Sequence, residues 1–271
     1  MPRIEVRLLE NVDEARQCEL VQTHVWGAPG VTREAMTAVR KYGGALIGTL
    51  VDGKVVGFIL AFLAQYHGRL AHWSHMMAVE AKYRDQGFGF KMKMLHRQVA
   101  LERGIKSICW TFDPLQSRNA RLNIARLGAI PEEYVEDCYG RFPSLLERGL
   151  PSDRWVVNWR IATAQVEKCL RGEHPPFPRH LPRVNETRLN AHGFPQNREI
   201  RLDLTNCRLL VEIPNQTDAM RLRAMPLARR WREEARRIFQ QYLAEGYRVG
   251  DFFPPQPATE GRCFYLLRRS P

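Results

Sequence analysis

Residues 79–98 read V-E-A-K-Y-R-D-Q-G-F-G-F-K-M-K-M-L-H-R-Q, and residues 104–129 read G-I-K-S-I-C-W-T-F-D-P-L-Q-S-R-N-A-R-L-N-I-A-R-L-G-A. A strand is expected to end near Val79, followed by a short loop carrying Arg84, Asp85, Gln86, Gly87 and Gly89. A helix then starts on the glycines. Phe88, Met92, Leu95 and Val99 recur at helical spacing and form one apolar stripe, and Gly104 is placed to stop the helix. Ile108, Trp110 and Phe112 alternate with smaller or polar residues, which predicts a strand. The order is strand, glycine loop, helix, strand. The first amides of a helix lack partners within it and carry partial positive charge, and glycine lets an anion come close to the backbone. Gln86, Gly87, Phe88, Gly89 and Phe90 are therefore expected to hold a pyrophosphate. The glycines alone would equally suit a turn that packs a helix on a sheet.

The stretch lacks the third glycine of a dinucleotide fingerprint and the Lys-Ser/Thr pair of a P-loop. R-D-Q-G-F-G after a strand ending in valine, then a helix, a W-T-F strand and a helix ending in L-G-A together resemble the GNAT acyltransferase superfamily, whose signature is R/Q-x-x-G-x-G/A. The resemblance implies an α/β (α+β) GNAT fold, a mixed twisted sheet flanked by helices. It also implies acetyl-CoA or another acyl-CoA as co-substrate. H-x-S-H-M, W-T-F-D-P-L, R-N-A, Y-G and S-D-R resemble a bacterial subgroup of that superfamily, some of whose members N-acylate amino acids, with succinyl-CoA among the donors.

The rest of the chain fits this reading. Ile4 to Leu8 reads as a strand, and Asn11 or Asp13 is placed to cap a helix through about Val25. Thr32 precedes a second helix. Residues 43–51 and 55–64 are strands joined at Asp52-Gly53, a hairpin signal, and 69–79 is a longer strand. Gln116 to Leu127 is predicted helical, and 133–139 and 155–161 are the last strands. This places a GNAT domain over residues 1–162. Residues 163–197 contain Pro175, Pro176, Pro178, Pro182 and Pro195 and predict an extended linker. Residues 198–271 form an accessory α/β segment that resembles a degenerate half-GNAT without the glycine motif. Its strands are expected at 199–204 and 209–213, paired with each other, and then at 247–253 and 263–267. Its helix, about 227–244, carries Trp231, Ala235, Ile238 and Tyr242 on one face, which must be buried against the first domain or a second subunit. A homodimer through this segment is one expectation.

The resemblance also assigns roles. Pantetheine is expected between the fourth and fifth strands, with main-chain amides among Met77, Ala78 and Val79 facing the thioester oxygen. The family's tyrosine acid falls on Ile124 here, and its usual asparagine falls on Ser117, with Asn119 nearby as a substitute. The acid is then water or Tyr139, or the chain is a catalytically silent coenzyme A-binding or regulatory protein. The base has two candidates. His75 lies on the strand leading to Met77, on the face of Trp73 and Met77 by simple alternation, and has a suitable pKa range. Asp113 ends the W-T-F-D strand and reads equally as a turn residue before Pro114. His72 points to the opposite face from His75. Trp110 is a substrate-binding candidate. If the acceptor is an amino acid, Arg141 and Arg154 are cations for its carboxylate.

The charge bounds the alternatives. The chain of 271 residues has a net charge of +12, 44% hydrophobic and 26% charged residues, and six well-separated cysteines without a C-x-x-C. Residues 162–271 carry 19 Lys/Arg against 12 Asp/Glu. No zinc-site spacing, lysine-rich run, membrane-length apolar run or signal-peptide core appears, so no metal, no membrane and no nucleic-acid partner are expected. The expected setting is cytoplasmic with reduced thiols. The expected activity is transfer of an acetyl or succinyl group to the amine of a small molecule, with amino acids among the acceptors.

Overall fold

A computed structural model describes residues 2–28, 30–140 and 149–269. Contacts divide these residues into two compact units that interleave along the chain. The first holds residues 2–110 and 159–163, and the second holds residues 111–140, 149–158 and 164–269. The division thus does not fall at the expected 162/163 boundary.

The first unit opens with strand β1 (Ile4–Leu8), helix α1 (Val12–Trp26) and helix α2 (Arg33–Lys41). Asn11 caps α1 in a reciprocal box with Glu14, which satisfies two amides at once. Strands β2 (Ala45–Val51), β3 (Lys54–Tyr66) and β4 (Arg69–Val79) follow as an antiparallel meander, with β1 on the outer edge of β2. Two tight turns set the register. Asp52-Gly53 and His67-Gly68 all have positive φ, the backbone that two-residue hairpin turns require. Helix α3 (Phe88–Glu102) leads to β5 (Ile108–Phe112), which runs parallel to β4 through His72↔Ile108 and Trp73↔Cys109. The sheet is therefore mixed, as the family resemblance implies.

Both faces are covered, so β2 and β3 are apolar on both sides. Leu46, Phe58 and Leu60 pack with Ala15, Cys18 and Met36 of α1 and α2. Their neighbours Ile47, Ile59 and Ala61 pack with Met92 and Val99 of α3. Phe88, Met92 and Val99 of the expected stripe are buried.

The second unit begins at Thr111. The helix expected over 116–127 is α-helical only over α4 (Ser117–Ala120) and continues as a π-helical turn over Arg121–Arg126. Leu127 N–H reaches back to Leu122 C=O at 2.9 Å, one residue further than in an α-helix. Strands β6 (Ile130–Val135) and β7 (Arg154–Trp159) pair antiparallel. Residues 136–139 leave the strand through Asp137, at φ 42°, so the predicted strand over 133–139 ends early.

Residues 163–197 are not an extended linker. They contain helix α5 (Ala164–Leu170), strand β8 (Asn185–Leu189) and the start of β9 (Pro195–Ile200), which pairs with β8. The strand expected at 199–204 therefore begins earlier and takes a different partner. Strand β10 (Arg208–Ile213), helix α6 (Thr217–Arg223), helix α7 (Met225–Ala244), β11 (Arg248–Phe253) and β12 (Cys263–Arg268) complete the unit. The last sheet is ordered β10-β12-β11, all antiparallel. Trp231, Ala235, Ile238 and Tyr242 of α7 are buried as their spacing predicts. Within this unit residues 111–158 and the C-terminal segment share one aromatic core. Trp155 meets Phe239 at 4.9 Å, and Phe239 meets Tyr265 at 5.3 Å between ring centroids.

Candidate functional site

In the first unit the predicted cofactor residues follow one another around the end of β4. Residues 81–83 make one 3₁₀ turn, and Gly87 caps α3 at φ 77°. This left-handed backbone suits glycine and turns the chain sharply into the helix. Gly87 itself has no side chain with which to cap the helix. The loop Arg84, Asp85, Gln86, Gly87 is exposed, while Phe88 is buried beneath the helix start and Gly89 and Phe90 are half-buried. Arg84 Nε donates to Val79 C=O at 3.1 Å, and Gln86 Nε2 donates to Lys82 C=O at 3.4 Å, which ties the loop to the end of β4. A glycine turn that opens a helix is the backbone element of an anion cradle.

Strand β4 carries a bulge where the sequence gives simple alternation. Leu60 opposes Met76 and Ala61 opposes Ser74, so His75 is the extra residue on β4. A bulge bends its strand and re-aims the side chain there. The consequence is a correction. His75 is exposed and lies beside Phe62, 5.6 Å between ring centroids, while Met77 and Val79 pack toward α3. His75 and Met77 therefore do not share a face. His75 does lie opposite His72, as expected. Desolvation lowers its pKa from the usual value, so its ring is neutral at pH 7 and able to accept a proton. The parallel pairing of β4 with β5 covers only His72↔Ile108 and Trp73↔Cys109. Met77, Ala78 and Val79 lie beyond it.

Under α3 lies a buried polar array that has no carboxylate partner among the described residues. Lys93, 1% exposed, donates from Nζ to Ser74 Oγ at 3.0 Å and stands 3.6 Å over the Trp110 ring. Burial drives its pKa down to about 7. One turn on, His96 Nε2 lies 3.0 Å from His72 Nδ1, and His72 Nε2 lies 3.1 Å from Gly43 C=O. A carbonyl only accepts, so His72 carries its proton on Nε2 and accepts from His96 on Nδ1. Among the described residues His96 Nδ1 has no hydrogen-bond partner. Desolvation pushes both imidazoles down, His96 furthest, so both are neutral. Trp110, expected to touch substrate, is only 5% exposed and stacks edge-on against Trp159 at 6.2 Å. It is a core residue here. Sequence reading missed Lys93 and His96. Their signal was a pair of ionisable residues three apart beside the apolar stripe of α3.

The second unit accounts for Asp113 differently from a base. Its Oδ1 accepts from Leu115 N–H at 2.9 Å, the turn role weighed above. Its Oδ2 accepts from Arg221 and, at 2.8 Å, from Arg232. Burial alone would raise the carboxyl pKa, but the two guanidinium groups win and hold it well below the usual range. A carboxylate held that far down is a poor proton acceptor near neutrality. Tyr139 lies in the turn after β6 and is half exposed. Its hydroxyl is 2.7 Å from Thr111 Oγ1, and burial raises its pKa. Arg154 stacks 5.4 Å over that ring and donates to Asp153 C=O at 3.0 Å. The Asp153 carboxylate is taken instead by Arg236 and Tyr134. Asn119 is exposed on α4, Ser117 donates to Asn215 C=O at 3.3 Å, and Ile124 is buried. Arg141 lies outside the described residues. Among the described residues no group of three or more His, Cys, Asp or Glu is placed to hold a metal ion, and no helix is long and apolar enough to cross a membrane.

Residues 10–128 match the acetyltransferase (GNAT) family. None of the curated proteins matches the sequence. Similar solved structures include the ribosomal-protein-S18-alanine N-acetyltransferase from Escherichia coli, at 14% identity and TM-score 0.49, covering 60% of this chain and 96% of that one. The GNAT-family acetyltransferase from Streptococcus pneumoniae is 16% identical with TM-score 0.46, covering 58% and 98%. The NatC complex bound to Gag peptide and CoA is 14% identical with TM-score 0.47, again covering 58% and 98%.

Proposed function

The chain belongs to the GNAT acetyltransferase superfamily through residues 10–128, and from that premise we propose that it is an acyl-CoA-dependent N-acyltransferase acting by direct transfer to a small-molecule amine. The observation that carries the reading is the left-handed glycine cap at Gly87 that starts α3 in the exposed loop after β4. The coenzyme pyrophosphate binds those amides, and Arg84 adds charge. Pantetheine runs along β4 past its short pairing with β5, and an amide among Met77, Ala78 and Val79 stabilises the oxyanion.

The reaction needs a neutral amine. Its nitrogen attacks the thioester carbon, the C–N bond forms, and the carbonyl electrons move onto oxygen. The oxyanion then collapses, the C–S bond breaks, and the coenzyme thiolate leaves and takes a proton. His75 is the proposed base, because it is exposed, neutral at pH 7 and set at the bulge. Asp113 is not retained in that role. Tyr139 is the proposed acid for the thiolate, and Arg154 the proposed cation for an acceptor carboxylate. Amino acids are the acceptor class, and acetyl and succinyl the acyl groups, to try first.

A second reading has one specific observation behind it. Ile124 is a buried aliphatic residue where the family has its tyrosine, which favours a coenzyme A-binding protein that does not turn over. Thiol release from acetyl-CoA and succinyl-CoA over an amine panel separates the two. Release that depends on an amine supports transfer. Tight coenzyme binding without release for any amine supports the silent reading. No binding of either coenzyme sinks both.

A further inference from the structure

The second unit ends in a row of arginines that the acyl-transfer reading does not use. Strand β12 is central in its sheet, and Arg268 on it faces Arg208 of β10 on one side and Arg248 of β11 on the other. Directly opposed residues project from the same face with Cβ atoms roughly 5 Å apart, and like charges so placed repel. All three arginines are exposed, so the row is not buried structure. The same sheet face is covered further along, where Phe177 and Leu181 pack on Leu210, Phe253, Phe264 and Leu266.

The row lines a recess of about 760 Å³, together with Arg269, Cys207 and Glu245. Two of its guanidinium groups are oriented without being neutralised. Arg248 Nη1 donates to Tyr247 C=O at 2.7 Å, and Arg269 Nη2 donates to Thr205 C=O at 2.9 Å while its head lies 4.8 Å over the Tyr247 ring. Among the described residues neither Arg208 nor Arg268 makes an ion pair. The carboxylates nearby do not balance the row. Glu245 Oε1 accepts from Gln241 at 2.6 Å, and Asp251 feels Arg268 without reaching ion-pair distance. Four arginines thus line one recess with a single carboxylate among its lining residues.

We propose that this recess binds a small ligand carrying phosphate groups. Guanidinium forks match phosphate oxygens two at a time, and several forks held at one place select a polyanion over a single carboxylate. The recess volume falls in the range of small-ligand sites. Tyr247, the aromatic side chain behind Arg269, is fully buried, so it offers no face on which the bases of a single-stranded nucleic acid could stack. This separates a small phosphate ligand from an RNA strand as occupant. The inference is independent of the acyl-transfer reading, because every residue in it belongs to the C-terminal sheet and the turns beside it.

The test uses the full-length protein and inorganic triphosphate as probe, with titration calorimetry and thermal unfolding at about 50 mM salt. Expected are saturable binding, a higher Tm with triphosphate present, and an affinity that falls at least tenfold when salt is raised to about 200 mM. Arg268→Gln and, separately, Arg208→Gln should each weaken binding at least tenfold and cancel the Tm rise. Two variants are used because the Arg268 stem packs against Gly250, where a Cβ would come within 2.6 Å of it. Without ligand, Arg208→Gln should melt no lower than the wild type, because it removes a like charge from the row. Absence of saturable binding, binding undiminished in both variants, or a lower Tm of free Arg208→Gln would each overturn the proposal. A short single-stranded RNA that binds more tightly than triphosphate and depends on the same arginines would also overturn it, assigning the face to nucleic acid.

Discussion

Replacing Asp113 with asparagine should be among the most damaging single changes in the second unit. The carboxylate is 6% exposed and receives Arg221 and Arg232, whose side chains are 3% and 1% exposed. Asparagine keeps the shape but removes the charge, leaving two buried cations facing a neutral amide. Removing one partner of a buried ion pair costs about 3–5 kcal/mol, a large share of the about 5–15 kcal/mol that holds a whole domain. The wild-type folded pKa lies below the unfolded one, so the carboxylate's contribution is present above about pH 4 and is lost only as pH falls through the folded value. The variant should therefore be equally weakened at pH 7 and pH 5 and approach the wild type only in strong acid. Hydrogen exchange of the Met225–Ala244 helix in low urea reads this directly, because 3–5 kcal/mol lowers protection by about two to four orders of magnitude. A control removes the charges together. Asp113→Leu with Arg221→Met and Arg232→Met should recover much of the loss, since apolar replacement of a buried ion cluster is often neutral. Protection within a factor of about five of wild type in Asp113→Asn would show that the arginines do not depend on this carboxylate and would refute the reasoning.

Lys93→Met should stabilise the protein at pH 6, on the order of 5 kcal/mol from a pKa lowered to about 7, and the gain should shrink as pH rises toward 10. The sign follows because the folded state binds fewer protons than the unfolded state between about pH 7 and 10.4, so wild-type stability rises with pH there; a gain constant across that range would mean that Lys93 stays charged. Gly87→Glu puts a negative charge and a strained φ of 77° at the α3 cap, where a Cβ meets nothing within 4 Å. Calorimetry should show coenzyme A affinity down at least about tenfold in a folded protein, and an unchanged Kd removes the loop from the coenzyme site. His75→Ala should lower kcat/KM about a hundredfold, leave coenzyme affinity intact and flatten the acidic limb of the pH–rate profile, which lies below the ordinary histidine value; full activity with the limb in place would exclude it as the base. Truncation after Ala162 should yield an insoluble chain, because it strips Phe239 and Tyr265 from Trp155 and removes the arginines of Asp113 and Asp153. A soluble, active fragment would show that residues 111–158 do not need that core.

Local chemistry made much of this legible in the sequence. The Asn11 cap, the Asp52-Gly53 turn, the α3 stripe and the buried face of α7 depend on residues a few positions apart, and each appears as its spacing predicts. What failed depends on distant partners or on one extra residue. The bulge at His75 is fixed by a register shift against Leu60 and Ala61, which no pattern in H-W-S-H-M encodes, and it reverses which neighbours share a face. The π-helical turn over Arg121–Arg126 likewise inserts a residue into a helix whose periodicity reads as regular. Asp113 looked equally like a base or a turn residue. The decision comes from Arg221 and Arg232, more than a hundred positions away. Proline count misled for 163–197, because Pro195 starts a strand of a two-stranded sheet, an edge position where proline is tolerated.

The same long-range view changes what the positive charge means. Arg221, Arg232 and Arg236 raise the net charge of the C-terminal segment, yet they lie in one unit with Asp113, Asp153 and Glu136 and serve as their counter-ions. A sum over residues 162–271 counts these arginines without the carboxylates they neutralise, which fall before residue 162. They therefore say nothing about an anionic partner. The charge that does includes three arginines outside any recorded counter-ion pairing at one end of the last sheet, where Arg208, Arg268 and Arg248 stand side by side. Repulsion along such a row lowers stability in the free protein. A bound anion would reverse that cost, so the row is informative where the net charge is not.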